Sequence, residues 1–196
     1  MHIDNLEMGI KEWQSMPRNN AAELEKADNF FDQQLMPMSL EHFLNSQQHI
    51  VNENYFSMAL TLGTSWQPLA LSIALLKPKK ILIMGTAETM SLVELLQNFL
   101  KLDKDCIQCV VVDRSEPDDI YRAMNDFYEC WGSFGKMCVD ITGGTKAMAS
   151  GAAMMAAVLD ADIYYVESKY LPVYRRPLPG SEYLKVLSNP RKLVQC

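Results

Sequence analysis

Val139-Asp140-Ile141-Thr142-Gly143-Gly144-Thr145-Lys146-Ala147-Met148 decides how this chain folds. An apolar run, 137–141, leads straight into Thr-Gly-Gly-Thr-Lys, and a small-residue run, 146–159, follows without a linker. The first reads as a buried strand and the second as a helix. Two adjacent glycines let the backbone turn sharply and let another group approach with no Cβ in the way. The first N–H groups of the helix have no partner within it and lie at the positive end of its dipole. Thr142 and Thr145 add hydroxyls there and Lys146 adds an ammonium, so the junction suits phosphate or another anion. The pattern is neither a P-loop nor the Gly-x-Gly-x-x-Gly dinucleotide fingerprint.

Outward from this junction the chain alternates. Strands are predicted at 56–63, 81–85, 106–112, 137–141 and 162–166, with helices at 68–76, 89–100, 118–131 and 146–159. The strands are short, nearly continuous apolar runs, the mark of parallel strands covered on both faces. The fold class is therefore α/β: an open, doubly wound, mainly parallel, Rossmann-like sheet. Residues 1–54 differ. They are polar, with apolar residues at helical spacing, and read as an N-terminal helical extension. Its amphipathic helices are expected at 21–35 and 40–51, separated by Pro37, with Ser39 capping the second. The α/β domain then spans 55–196 and ends in an arm, 167–196, rich in tyrosine and proline, where a short antiparallel pair is expected.

Ligands of open α/β sheets bind beyond the carboxyl ends of the strands. Three strand ends carry hydroxyls and turn formers there. They are Gly63-Thr64-Ser65-Trp66-Gln67, Gly85-Thr86-Ala87-Glu88-Thr89 and Thr142-Gly143-Gly144-Thr145-Lys146. The candidate ligand-binding set is Thr64, Ser65, Trp66, Gln67, Gly85, Thr86, Thr89, Thr142, Gly143, Gly144, Thr145 and Lys146. Lys146 is read as the phosphate contact, since a cation in a first turn opposes the helix dipole unless an anion is near. Asp140 is expected to hold the loop by accepting backbone N–H bonds. Thr86, Thr89, Thr142 and Thr145 serve equally well as caps, Ser65 and Gln67 as caps of the 68–76 helix, and Trp66 packs under the rim or stacks on a base. The methionines Met84, Met90, Met148, Met154 and Met155 read as core.

The chain has 196 residues, a net charge of −6 and 48 % hydrophobic residues, which fits a globular domain and argues against binding long nucleic acid. No apolar run is long enough to span a membrane, and the N-terminus lacks a secretory signal pattern. Five cysteines cannot all pair. Cys106, Cys109 and Cys138 read as core thiols and the chain as cytoplasmic. Neither a metal site nor a cofactor is expected.

The stretch Asp140–Met148, the following small-residue helix and the strand at 163–166 resemble the CRISPR-associated Rossmann fold (CARF) domains of type III CRISPR systems. The Gly63-Thr64-Ser65 loop, the Met84-Gly85-Thr86 turn and Pro177-Leu178-Pro179-Gly180-Ser181-Glu182 are similar to the same family, over roughly residues 55–190. The resemblance implies a sensor of cyclic oligoadenylate, cyclic tetra-adenylate foremost, that binds one ring across a homodimer and controls an effector domain or protein. A symmetric ring of phosphates fits a site that a two-fold interface builds twice.

A second expectation from the resemblance is a ring nuclease, which positions a ribose 2′-hydroxyl in line with its phosphate without metal. The three histidines are His2, His42 and His49, all outside the strand-end loops. That leaves the rim without a ready general base, and the chain without the arginine–histidine motif of the HEPN ribonucleases common in CARF proteins.

Overall fold

The computed structural model describes residues 2–51 and 53–187, with side chains from Asn5 onward. The end of the expected C-terminal arm, 188–196, lies outside the described residues. The chain forms two compact units, 50–166 with 184–187 and 2–49 with 167–183.

The larger unit is the α/β domain. Its strands are β1 (Tyr55–Leu62), β2 (Lys80–Gly85), β3 (Ile107–Val111), β4 (Lys136–Asp140) and β5 (Asp162–Glu167), joined by a later strand (Tyr183–Leu187). The sheet runs in the order β3, β2, β1, β4, β5, then the Tyr183–Leu187 strand. All four pairings among the first five strands are parallel. β1 is thus central. The chain works outward through β2 to β3, then crosses back to lay β4 on the other side of β1. The topological switch point falls between the carboxyl ends of β1 and β4.

Side-chain alternation buries both faces. Ala59, Leu82, Met84, Met137, Val139 and Ile163 pack against two helices, Pro117–Trp131 and Lys146–Val158. Sheet residues of the opposite parity, such as Met58, Leu60, Ile81 and Ile83, are equally buried. On that side lie the helices Gln67–Leu76 and Leu92–Leu100, the first of which buries eight of its ten residues. Helix and strand positions agree with the sequence pattern to within a residue or two, except that the 89–100 helix begins at Leu92, after a run of turns.

Two expectations about burial fail at the margins. β3 is an edge strand, so Cys109 and Val111 are exposed and Cys106 is half-buried; Cys138, on central β4, alone of the three is a core thiol. Met84 and Met148 are core, but Met154 is 61 % exposed and accepts the Tyr121 hydroxyl at Sδ (3.5 Å).

The smaller unit holds α1 (His2–Ser15), α2 (Ala21–Phe30), a π-helical turn (Phe31–Leu35) and α3 (Met36–Gln47). Pro37 does not separate two helices. It falls just after the π turn, where the Met36 N–H reaches back five residues to Phe31 O, and α3 runs on from there. The widened turn makes room for a residue that would otherwise clash one turn back. Ser39 is consequently inside α3 and caps nothing. It is buried, donates to Glu182 Oε2 (2.9 Å) and accepts from the Gly180 N–H (3.1 Å). The segment 167–183 belongs to this unit and contains the expected antiparallel pair, Tyr170–Leu171 against Arg176–Pro177. Tyr174 packs against Trp13 with ring centroids 4.7 Å apart, and the Arg18 guanidinium lies over both rings. Arg176 covers Phe31 and pairs with Asp28 at 2.8 Å.

Candidate functional site

At the switch point two loops touch backbone to backbone. Thr61, the penultimate residue of β1, donates its hydroxyl to Gly143 O (2.7 Å). A Cβ on Gly143 would collide with Thr61 O and stand 3.0 Å from Gly63 N. A Cβ on Gly63 would lie 2.7 Å from Gly144 N, and Gly144 itself sits at φ +79. The glycines therefore do two things that side chains forbid: they let the loops after β1 and β4 nest, and they take the left-handed turn. Among the described residues, the N–H groups of Thr64, Ser65, Gly143 and Gly144 have no hydrogen-bond partner.

Helix Gln67–Leu76 opens beside them with no side-chain cap; its N-cap residue is Trp66 and Pro68 fills its first turn. The hydroxyls of Thr64 and Ser65 are exposed and, among the described residues, unpartnered. Lys146, the first residue of helix Lys146–Val158, is exposed and without an ion-pair partner among the described residues. The lip of the switch point is thus composed of free amides, two free hydroxyls and one ammonium, the chemistry that receives an anion.

The other candidates have different work. Thr142 is a fastener: its N–H donates to Asp140 Oδ1 and its hydroxyl oxygen accepts the Val166 N–H, both at 2.7 Å. Thr145 caps its helix by accepting the Met148 N–H (3.2 Å) and donates to Arg114 O (2.7 Å), which leaves it no proton for a ligand. The loop after β2 closes on itself. Thr86 O accepts from the Thr89 N–H (3.0 Å) and the Thr89 hydroxyl (3.1 Å), and Gly85 packs under Thr89. The Thr86 hydroxyl, and after it the Glu88 backbone, hold the fully exposed Glu88 carboxyl below its ordinary range. Trp66 is 5 % exposed and tilted onto Phe99, centroids 5.1 Å apart, so its ring belongs to the core; Gln67 is buried too.

Asp140 does hold the loop, through Thr142. It is fully buried and its Oδ2 has no hydrogen-bond partner. Burial pushes its carboxyl up from the ordinary value, against the opposing influence of the Ser72 hydroxyl and of Thr142. The folded chain therefore binds this proton more tightly than the unfolded chain, whose carboxyl titrates near about 3.9. The stability that Asp140 contributes is fully present below that value and is lost as pH rises through the raised folded one. Asp140→Asn abolishes the titration. In urea denaturation at a series of pH values from acid to neutral, the variant should gain on the wild type as pH rises. A gap that moves the other way would mean that the ionised form is the one the fold prefers.

The sequence reading passed over the loop after β3, 113–116. The bond from Thr145 draws it to the rim and brings an exposed arginine, Arg114, with it. The strand-end position of Asp113-Arg114-Ser115 was a signal of the same kind as in the other loops. Among the described residues no cluster of three or more His, Cys, Asp or Glu side chains is placed to hold a metal, and no helix is long and apolar enough to cross a membrane.

A parallel sheet of order 3-2-1-4-5 defines a Rossmann-like α/β fold, and the lip of unpartnered donors lies at its switch point. No family model matches the sequence. The CRISPR system endoribonuclease Csm6 of Thermus thermophilus is 29 % identical over 140 residues, 68 % of this chain. The chain spans only 29 % of that relative's length. Can2 from Sulfobacillus thermosulfidooxidans, solved in complex with cyclic tetra-adenylate, superposes with a TM-score of 0.51 at 18 % identity, over 57 % of this chain and 32 % of that one. The sequence is thus similar to part of a CRISPR endoribonuclease, and the fold to part of a protein solved with cyclic tetra-adenylate.

Proposed function

We propose that this chain is a cyclic oligoadenylate sensor of type III CRISPR signalling, acting in the cytoplasm. It binds one ring, cyclic tetra-adenylate, across a homodimer, and the occupied dimer controls an effector domain or protein. The observation that carries this reading is the nested pair of glycine loops at the β1/β4 switch point, with unpartnered amides and Lys146 around them. A phosphodiester brings the acceptors those donors lack, and a two-fold axis presents the same donors to both halves of a ring. The likeness to Csm6 and to the Can2 fold supports the same assignment. Binding is preferred to cleavage because none of the three histidines falls in the strand-end loops.

Titration calorimetry with cyclic tetra-adenylate and cyclic hexa-adenylate, followed by chromatography of the recovered nucleotide, tests the reading. Saturation at one ring per two chains, with the tetra-adenylate bound more tightly and recovered intact, is expected. Linear products would make the chain a ring nuclease. Absence of saturation with either ring would refute the sensor.

A further inference from the structure

The rim holds a second cation that the glycine loop itself positions. We infer that Arg114 is a phosphate-contacting residue of this site and forms a two-cation clamp with Lys146 around one phosphodiester of the ring. The inference rests on the cyclic-nucleotide reading of the site. Thr145, the residue just before Lys146, donates its hydroxyl to Arg114 O at 2.7 Å. The links through that bond keep the Cα atoms of Arg114 and Lys146 within about 11 Å of each other, well inside the combined reach of the two side chains.

The loop that presents Arg114 is fixed from both ends. Asp113 Oδ1 accepts the Ser115 N–H (2.8 Å) and hydroxyl (2.6 Å), and the Asp113 N–H donates to Asp119 Oδ2 (3.0 Å). Pro117 then starts helix Pro117–Trp131, which packs along helix Lys146–Val158 in the same core. The arginine is consequently attached to a braced turn.

Its charge is felt by Glu88 and Asp113 but is not committed to an ion pair. Arg114 is exposed and makes no ion pair among the described residues. Each nearby carboxylate takes its hydrogen bonds from another group, Asp113 from Ser115, Glu88 from Thr86, and Asp119 from Arg122 at 2.6 Å; Arg114 adds to the lowering of the Glu88 and Asp113 carboxyls. A planar guanidinium offers a phosphodiester two parallel N–H bonds, where Lys146 offers a point charge. The two loops that carry these cations are joined by the Thr145 hydroxyl, so an anion between them meets both.

The test is calorimetry with cyclic tetra-adenylate on the full chain, comparing wild type, Arg114→Ala, Arg114→Lys, Lys146→Ala and the double alanine variant. Circular dichroism serves as the check of folding. Arg114→Ala is expected to weaken binding about 10- to 100-fold, as for loss of a charge-assisted bond. Arg114→Lys should recover only part of the loss, because charge returns without the fork. The double variant should lose less than the product of the two single losses, since both cations hold one phosphate. Wild-type affinity in folded Arg114→Ala overturns the clamp and leaves the sensor standing. A wild-type chain that binds no ring overturns both.

Discussion

Gly143→Ala is expected to destabilise the chain by about 3 kcal/mol, the upper end of ordinary overpacking, and to abolish ring binding. At this chain length that corresponds to a fall of roughly 6–12 °C in the thermal midpoint. The cause is local and geometric. The new methyl would run into Thr61 O and stand 3.0 Å from Gly63 N, so it meets backbone on two sides and no flexible side chain can yield. Either the loop after β4 lifts off β1, breaking the bond from the Thr61 hydroxyl to Gly143 O, or β1 shifts in the centre of its sheet. In both cases the free amides of the two loops no longer converge. Thermal melting followed by titration with cyclic tetra-adenylate measures both effects. A variant that melts and binds as the wild type does would show that the loops need no such close approach.

Lys146→Ala should separate affinity from stability. A buried or partly enclosed charge-assisted bond to phosphate contributes about 1.5–3 kcal/mol, so ring binding should weaken about 10- to 150-fold. The free protein should not suffer. A cation in the first helical turn faces the positive end of the dipole, at a cost of about 0.3–1 kcal/mol, and this one has no carboxylate partner among the described residues to offset it. Alanine is also the better helix former. The melting temperature in the absence of ligand should therefore stay level or rise slightly. A residue whose removal raises stability and lowers affinity is one kept for its ligand. Loss of stability with unchanged affinity would reverse that conclusion and take Lys146 out of the site.

Much of this architecture was legible because its signals are local. Five apolar runs punctuated by turn formers identify parallel strands wherever the chain later places them. The Gly143–Gly144 pair announces a close approach, since two glycines in succession are costly unless the backbone needs them. The roles of individual hydroxyls were not legible. A threonine at a strand end serves a cap, a neighbouring loop or a ligand with the same three atoms. Only the positions of Val166, Met148 and Arg114 show that Thr142 and Thr145 are already engaged. Trp66 is a similar case: its chain position puts it on the rim, and Phe99, thirty-three residues later, draws it into the core.

The N-terminal region shows the opposite balance. Helix α1 is hard to read from sequence because its buried stripe is narrow: Leu6 and Trp13 are buried, with Gly9 between them close enough to Leu35 that a Cβ would stand 2.9 Å away. Proline spoke for a break at Pro37, and a π turn cancelled it. Neither the apolar floor for α1 nor that turn can be read from neighbours in sequence.

The sequence alone determined that the chain folds as a strand–helix alternation with a tight glycine turn between strand and helix at 142–146, because hydrophobic period, glycine pairs and helix polarity act over a few residues. Tertiary structure alone decided which strand lies central, and so which two loops meet. It also decided that 167–183 joins the N-terminal helices, that Cys109 faces solvent, and that the Arg114 backbone is bonded to Thr145. Those outcomes depend on contacts between residues far apart along the chain, which pair only when a whole face of apolar surface leaves water together.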